Sequence, residues 1–292
     1  MIREYVLSKS IEEAVEVLSK NNGQAMVISG GTDLVIDMGA EVVKAEVLVD
    51  VTRIDGFHDI VFNGGDVMIG AGATMTEVSE DGKIKASVSA LAKAAGSVGS
   101  VQIRNVATLA GNIVKAQPAG DPSVMLTALG AEITVRGADG TRDIQVQDAY
   151  VTVGQSVVNS RKEIITKIKF KEPQKNQGTS FVRLSQRKAH TTPILNIGAV
   201  VSVNGGKIEW ARIAMAPVGP KPTRATEAEN FLVGKEPSAD VFKEAGALSL
   251  KDAKPITHLV WGSKEYKSAV LPSLVAKALK EAVDEIKAKG GM

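Results

Sequence analysis

Two glycine-bearing loops limit what this chain can be more than any other feature. The first is Ile28-Ser29-Gly30-Gly31-Thr32-Asp33-Leu34. The second is Ile103-Arg104-Asn105-Val106-Ala107-Thr108-Leu109-Ala110-Gly111-Asn112-Ile113. Each sets small residues and hydroxyls where a hydrophobic run ends. Backbone N–H groups in such loops can approach a phosphate that bulkier residues would block. Either loop alone is also compatible with an ordinary tight turn. Two in one domain suit a ligand with two phosphates, such as a dinucleotide.

The pattern around the loops is mixed α and β. Ser10 and Glu13 form an S-x-x-E capping box for a helix over 10–20, with Ile11, Ala14, Val15 and Leu18 on one stripe, and Asn22-Gly23 ends it. Residues 25–29 form a short strand that delivers the chain into the first loop, and 47–51 read as another strand. Asn63-Gly64-Gly65-Asp66 signals a hairpin turn between strands at 57–62 and 67–73. An alanine-rich helix is expected over 85–96. After the second loop, Asp121-Pro122 reads as an N-cap with proline at the first helical position, and Gly130 closes that helix. Strands follow at 132–135 and 163–170. The polar stretch Lys171-Glu172-Pro173-Gln174-Lys175-Asn176-Gln177-Gly178 reads as a boundary. Beyond it come a hairpin through Asn204-Gly205-Gly206 and helices near 224–233, 238–249 and 264–289. Pro272 implies a kink or a late start in the last of these.

Bulk composition narrows the function classes. Hydrophobic residues make up 44% of the 292, enough for a substantial core. The balance of 35 basic and 33 acidic residues argues against a nucleic-acid or membrane-surface protein. The densest basic cluster, Arg183, Arg187 and Lys188, is a local anion contact or a solvated edge. With no cysteine, the chain can form no disulfide, thiolate-ligated iron–sulfur cluster or cysteine nucleophile. The three histidines, His58, His190 and His258, are scattered, so no metal site is expected. No secretory or membrane-spanning segment is apparent, and a cytoplasmic protein is the expectation. Gly70-Ala71-Gly72-Ala73-Thr74-Met75 begins like a dinucleotide fingerprint but lacks its third glycine, and Gly234-Lys235 is followed by Glu236, so neither a Rossmann nor a P-loop site is indicated.

The GGTDL of residues 30–34, the TLAGNI of 108–113 and Pro118-Ala119-Gly120-Asp121-Pro122 together resemble the FAD-binding (medium) subunit of the molybdenum hydroxylase family, the xanthine dehydrogenase and carbon monoxide dehydrogenase flavoprotein type. The resemblance runs the length of the chain. Ala211 through Ala225 and Trp261 through Lys267 match the family as folding and docking elements. It implies an α+β protein: a two-lobed PCMH-type FAD-binding domain at 1–173, with lobes of about 1–55 and 56–173, then an α+β C-terminal domain at 178–289 whose antiparallel sheet is packed with helices. It implies that Ile28, Ser29, Gly30, Gly31, Thr32, Asp33 and Leu34 face Thr108, Gly111 and Asn112 across the FAD diphosphate. Gly72 and Thr74 match a further contact region, and Asp121 an acidic position near the nucleotide. Phe181-Val182-Arg183-Leu184-Ser185-Gln186-Arg187 resembles the family's F-x-K-x-x-x-R stretch, with Arg183 in place of the usual Lys. A cation there would stabilise the anionic reduced flavin ring. Many relatives carry an Asp where this chain reads Lys188-Ala189-His190-Thr191-Thr192-Pro193.

What the resemblance implies in function is an electron-transfer flavoprotein with no catalytic acid or base of its own. It would take electrons from iron–sulfur clusters on a small two-cluster subunit, which are filled by a large molybdopterin subunit, in a heterotrimeric unit. The acceptor would be NAD, ferredoxin, a quinone or oxygen. A stand-alone FAD-dependent oxidase or dehydrogenase of a small substrate is the alternative. It suits the chain less well, because its few tyrosines and histidines are dispersed. A scaffold with a dead flavin site would have no use for both loops, since unused glycines cost conformational entropy.

Overall fold

The structure, a computed structural model, describes residues 2–291. The chain opens on a strand, β1 (Glu4–Leu7), then α1 (Ile11–Lys20), β2 (Ala25–Ile28), α2 (Leu34–Gly39) and β3 (Val47–Asp50). The three strands pair parallel in the order β1-β3-β2. Central β3 is buried at every residue, whereas edge strand β1 is largely exposed, which is why Glu4-Tyr5-Val6-Leu7 carries no strand periodicity. Ser10 caps α1 by accepting from the Glu13 N–H at 3.1 Å. The reciprocal half of the expected capping box is displaced by one residue, since the Glu13 carboxylate takes the Lys9 N–H instead. Ala14, Val15 and Leu18 turn into the core.

The next section is a five-stranded antiparallel sheet. Its first hairpin joins β4 (Ile60–Asn63) to β5 (Asp66–Gly70) through Gly64 and Gly65. Both have positive φ, +60° and +81°, as a two-residue I′ turn requires. Then come α3 (Met75–Glu80), α4 (Gly82–Ser87), α5 (Ser89–Gly96), α6 (Val101–Arg104), α7 (Leu109–Lys115) and α8 (Asp121–Leu129). The single helix expected over 85–96 is two helices. Val88 leaves the helical region at φ −138°, ψ 55°, and Asp81 starts α4 earlier by capping the Ile84 N–H. Helix α8 is buried along its whole length. The sheet continues with β6 (Glu132–Gly137) and β7 (Gly140–Gln145). A small hairpin of β8 (Tyr150–Thr152) and β9 (Gln155–Ser156) follows, and the section ends on β10 (Glu163–Lys171), the central strand.

A third sheet, antiparallel throughout, runs β11 (Gln177–Leu184), β12 (Leu195–Asn204), β13 (Lys207–Ala216) and β14 (Thr223–Arg224). Gly205 and Gly206 form its tight turn. Helices α9 (Thr226–Leu232), α10 (Ala239–Leu248) and α11 (Lys264–Ala288) complete it. Helix α11 starts at Lys264, where Ser263 caps it, and passes through Pro272, so the expected late start does not occur. It lies so close to β11 that a Cβ on Gly178 would fall 1.9 Å from the Ala282 carbonyl oxygen. The sheet also meets the preceding section directly. Gly198 on β12 faces the α8 backbone at Met125, and Phe181, Val200, Ala214 and Ala216 join the aliphatic core built by residues 14–170. The molecule is thus α+β: an α/β section followed by an antiparallel sheet with helices.

Candidate functional site

The two glycine loops touch. Each ends at the start of a helix: residues 29–33 lead from β2 into α2, and residues 105–108 lead into α7. A Cβ on Gly30 would lie 2.0 Å from the Val106 carbonyl oxygen and 2.9 Å from Ala107 Cα, so only glycine permits this approach. Gly31 has φ +66°, a left-handed conformation that L side chains rarely adopt. The resulting loop presents the N–H groups of Gly30, Thr32, Asp33 and Leu34, together with that of Gly31, without any hydrogen-bond partner among the described residues. The Ser29 hydroxyl is buried beside them and is also unpartnered. Buried polar groups are ordinarily satisfied, and a run of free N–H groups next to an orphaned hydroxyl is a concavity suited to an anion.

The second loop is braced from within. Thr108 caps α7, accepting from the Gly111 N–H at 3.1 Å, and a Cβ on Gly111 would come within 3.0 Å of that hydroxyl oxygen. Asn112 accepts from the Ser123 hydroxyl at 2.8 Å, tying α7 to α8. Between the loops lies a cleft of about 1020 Å³, at the upper end of ligand-pocket sizes. Ile28 through Leu34, Thr108, Gly111 and Asn112 all line it. Its far wall is the segment Val151 to Arg161, held by a Gly154 N–H donated to the Ala116 carbonyl and a Val27 N–H donated to the Ser160 carbonyl.

Four sequence-predicted residues do not line the cleft. Gly72 backs onto Phe57, and Thr74 caps α3 in a complete capping box with Glu77. Partial burial pushes the Glu77 carboxyl up, but hydrogen bonds from Thr74 and from His58 outweigh it and leave it below the usual range. Thr74 still bears on the site indirectly, because it bridges to Thr108 while the Leu109 N–H donates to the Ala73 carbonyl.

Asp121 is not an N-cap. Gly120 occupies that position, and the Asp121 carboxylate is only 5% exposed. It accepts from the Ser97 hydroxyl at 2.8 Å, from Arg183 Nε at 2.9 Å and from the Asn196 side-chain amide. Burial pushes this carboxyl up from its ordinary range, against the opposing pull of Arg183, Asn196 and Ser97. Arg183 in turn donates to Ser185 and to the Thr191 carbonyl, so its guanidinium is committed to protein partners. His190 is exposed with φ +50°, and its carbonyl accepts from Arg187.

Two components of the cleft carry no signal in the residue order. One is the Val151–Arg161 wall. The other is Lys115, the last residue of α7, which reaches across to Asp37 on α2 at 2.6 Å. Among the described residues no helix is long and apolar enough to cross a membrane.

Comparison with known proteins agrees with this architecture. Residues 1–172 match the family described as the FAD binding domain in molybdopterin dehydrogenase. Residues 180–282 match the CO dehydrogenase flavoprotein C-terminal domain. The nicotinate dehydrogenase FAD-subunit of Eubacterium barkeri is 31% identical over 79% of this chain and 79% of its own length. The glyceraldehyde dehydrogenase medium chain of Sulfolobus acidocaldarius is 28% identical over 95% of this chain and 97% of its own. A solved carbon monoxide dehydrogenase structure from Hydrogenophaga pseudoflava superposes with a TM-score of 0.91 at 25% identity, covering 98% of both chains. The chain therefore belongs to the molybdopterin-dehydrogenase flavoprotein family, as an FAD-binding medium subunit of the molybdenum hydroxylase type.

Proposed function

We propose that this chain carries FAD as an electron-transfer station, taking electrons from iron–sulfur clusters on a small partner subunit and delivering them to an external acceptor. The observation that carries the reading is the contact between the two glycine loops, with five consecutive unpaired N–H groups and the buried Ser29 hydroxyl beside it. These groups fit a diphosphate. Ile28 through Leu34 hold it from one side, and Thr108, Gly111 and Asn112 from the other. Thr74 supports the second loop from behind through its bridge to Thr108, while Gly72 backs onto Phe57. Asp121 and Arg183 fix α8 against β11, setting the third sheet relative to the nucleotide cleft. On this reading the FAD domain occupies 1–173 and the C-terminal domain 178–289.

Bound FAD supplies a ring that accepts and releases electrons; the protein's task is to retain it, exclude water from the diphosphate and hold its orientation. No side chain of the cleft is assigned acid or base chemistry. The chain has no cysteine, so iron–sulfur clusters must come from another polypeptide. We assign them to a small subunit and the substrate-oxidising molybdopterin to a large one, in a heterotrimeric unit. NAD, ferredoxin, a quinone and oxygen are the candidate acceptors.

The test is an absorption scan of the full chain, purified with FAD supplied, followed by capture of the tagged chain from its host. Flavin bands with FAD as the species released on heating, and recovery of one small and one large partner, are expected. A chain that binds flavin but is recovered alone under gentle conditions would point to a self-sufficient flavoenzyme.

A further inference from the structure

Lys115 closes the helix launched by the second glycine loop, and Asp37 lies on the helix launched by the first. The ammonium is 2.6 Å from Asp37 Oδ2 and 3.9 Å from Asp33 Oδ1, so one cation spans the two loop-borne helices beside the free N–H groups. Lys115 and Asp37 are each about a quarter exposed, and Asp33, Asp37 and Lys115 all line the cleft.

The charges there are unevenly committed. The other cation lining the cleft, Arg161, donates to the backbone carbonyls of Gly23 and Lys44 and is held by them. The third lining carboxylate, Glu163, is paired with Arg142. A diphosphate seated on Gly30 through Leu34 would therefore meet the carboxylates of Asp33 and Asp37. Like charges at such distances repel strongly where water is partly excluded. Lys115 is the lining cation not held by backbone carbonyls, and its four-carbon stem lets the ammonium swing while the backbone stays fixed. That backbone is well anchored. Ala116 turns the chain in a left-handed conformation, φ +50°, and its carbonyl is bonded by the Gly154 N–H.

We propose that Lys115 is a two-position phosphate clamp, shared between Asp37, its partner in this structure, and the diphosphate of a bound nucleotide. The clamp rests on the FAD reading of the cleft and adds a residue to it. Asp37 keeps the ammonium in the cleft but competes with the ligand for it. The two residues therefore have opposite effects on affinity, unlike the two halves of a structural clasp.

The experiment titrates the flavin-free full chain with FAD, ADP and adenosine by calorimetry, for wild type, K115M, K115R, D37N and D37N/K115M. K115M should weaken FAD and ADP about tenfold or more, the loss of one charge-assisted contact, and leave adenosine unchanged. K115R should retain most of the affinity. D37N should tighten FAD and ADP, and by more with Lys115 present than in the K115M background, because only there does it also release the ammonium. Three results would overturn the clamp: D37N and K115M both weakening FAD, as for a structural clasp; D37N tightening binding equally with and without Lys115, as for simple relief of repulsion; or K115M weakening adenosine as much as ADP. If the wild type binds FAD and the pattern is absent, the clamp alone fails. If the wild type binds neither FAD nor ADP, the FAD reading fails and takes the clamp with it.

Discussion

Arg183 Nε lies 2.9 Å from Asp121 Oδ2, joining β11 to the first residue of α8 across 62 residues of chain. Both side chains are almost wholly buried, at 11% and 5% exposure. The pair ties the third sheet to the helix that follows the second glycine loop, so these residues act on the cleft through the packing of α8.

Removing one member leaves the other charged, buried and uncompensated. R183M should lower unfolding stability by about 3–5 kcal/mol, and the R183M/D121N double variant should recover part of that loss. Urea denaturation monitored by circular dichroism measures both. A wild-type midpoint for R183M would show that the pair does not hold the two sections together.

The contact between the loops makes a sharp prediction about flavin content. G30A places a methyl group 2.0 Å from the Val106 carbonyl oxygen and must push the loops apart, so FAD should not be retained. G39A, on the same helix α2 but with no atom within 4 Å of the new methyl, should keep its flavin and change stability by no more than about 1 kcal/mol. The ratio of flavin to protein absorbance in the purified variants decides it; equal flavin in both would remove the loop contact from the site.

Helix α11 presses on β11 at Gly178, where an added Cβ would stand 1.9 Å from the Ala282 carbonyl oxygen. G178A should destabilise the protein by about 1–3 kcal/mol through overpacking. A thermal melt no different from wild type would mean that α11 can slide away from the sheet at little cost.

Glu163 gives the protein a defined acid sensitivity. Partial burial raises its carboxyl, but hydrogen bonds from Arg142 and the Asn159 N–H, with the Arg142 charge, outweigh this and hold it below the ordinary glutamate range. The unfolded chain therefore binds the proton more readily than the native one. The stabilisation is fully present above the unfolded pKa and is lost as pH falls through the native value. E163Q should accordingly show a shallower decline in stability below about pH 4.5 than wild type, a starting point set by the unfolded glutamate pKa. Urea midpoints measured across that range test this, and parallel curves would exclude the contribution.

Local chemistry left clear marks in the residue order. Positive-φ glycines at 64, 65, 205 and 206 announce their turns, the cap Ser10 stands before its helix, and the two cleft loops are visible as glycine clusters at the ends of apolar runs. Each of these depends on neighbours a few residues away, so pattern alone suffices. Strand β1 escaped because an exposed edge strand needs no alternation, and the break at Val88 because an alanine-rich run carries no signal against continuing. The contact of Gly30 with Val106, the bond between Asp121 and Arg183 and the reach of Lys115 to Asp37 are of another kind. They join residues 62 to 78 positions apart, and their partners are chosen by how three sheets stack. Asp121-Pro122 has the appearance of a helix cap in the chain; burial against Ser97, Arg183 and Asn196 makes it an ion-pair anchor, because a carboxylate removed from water takes whatever donors the packed structure brings to it.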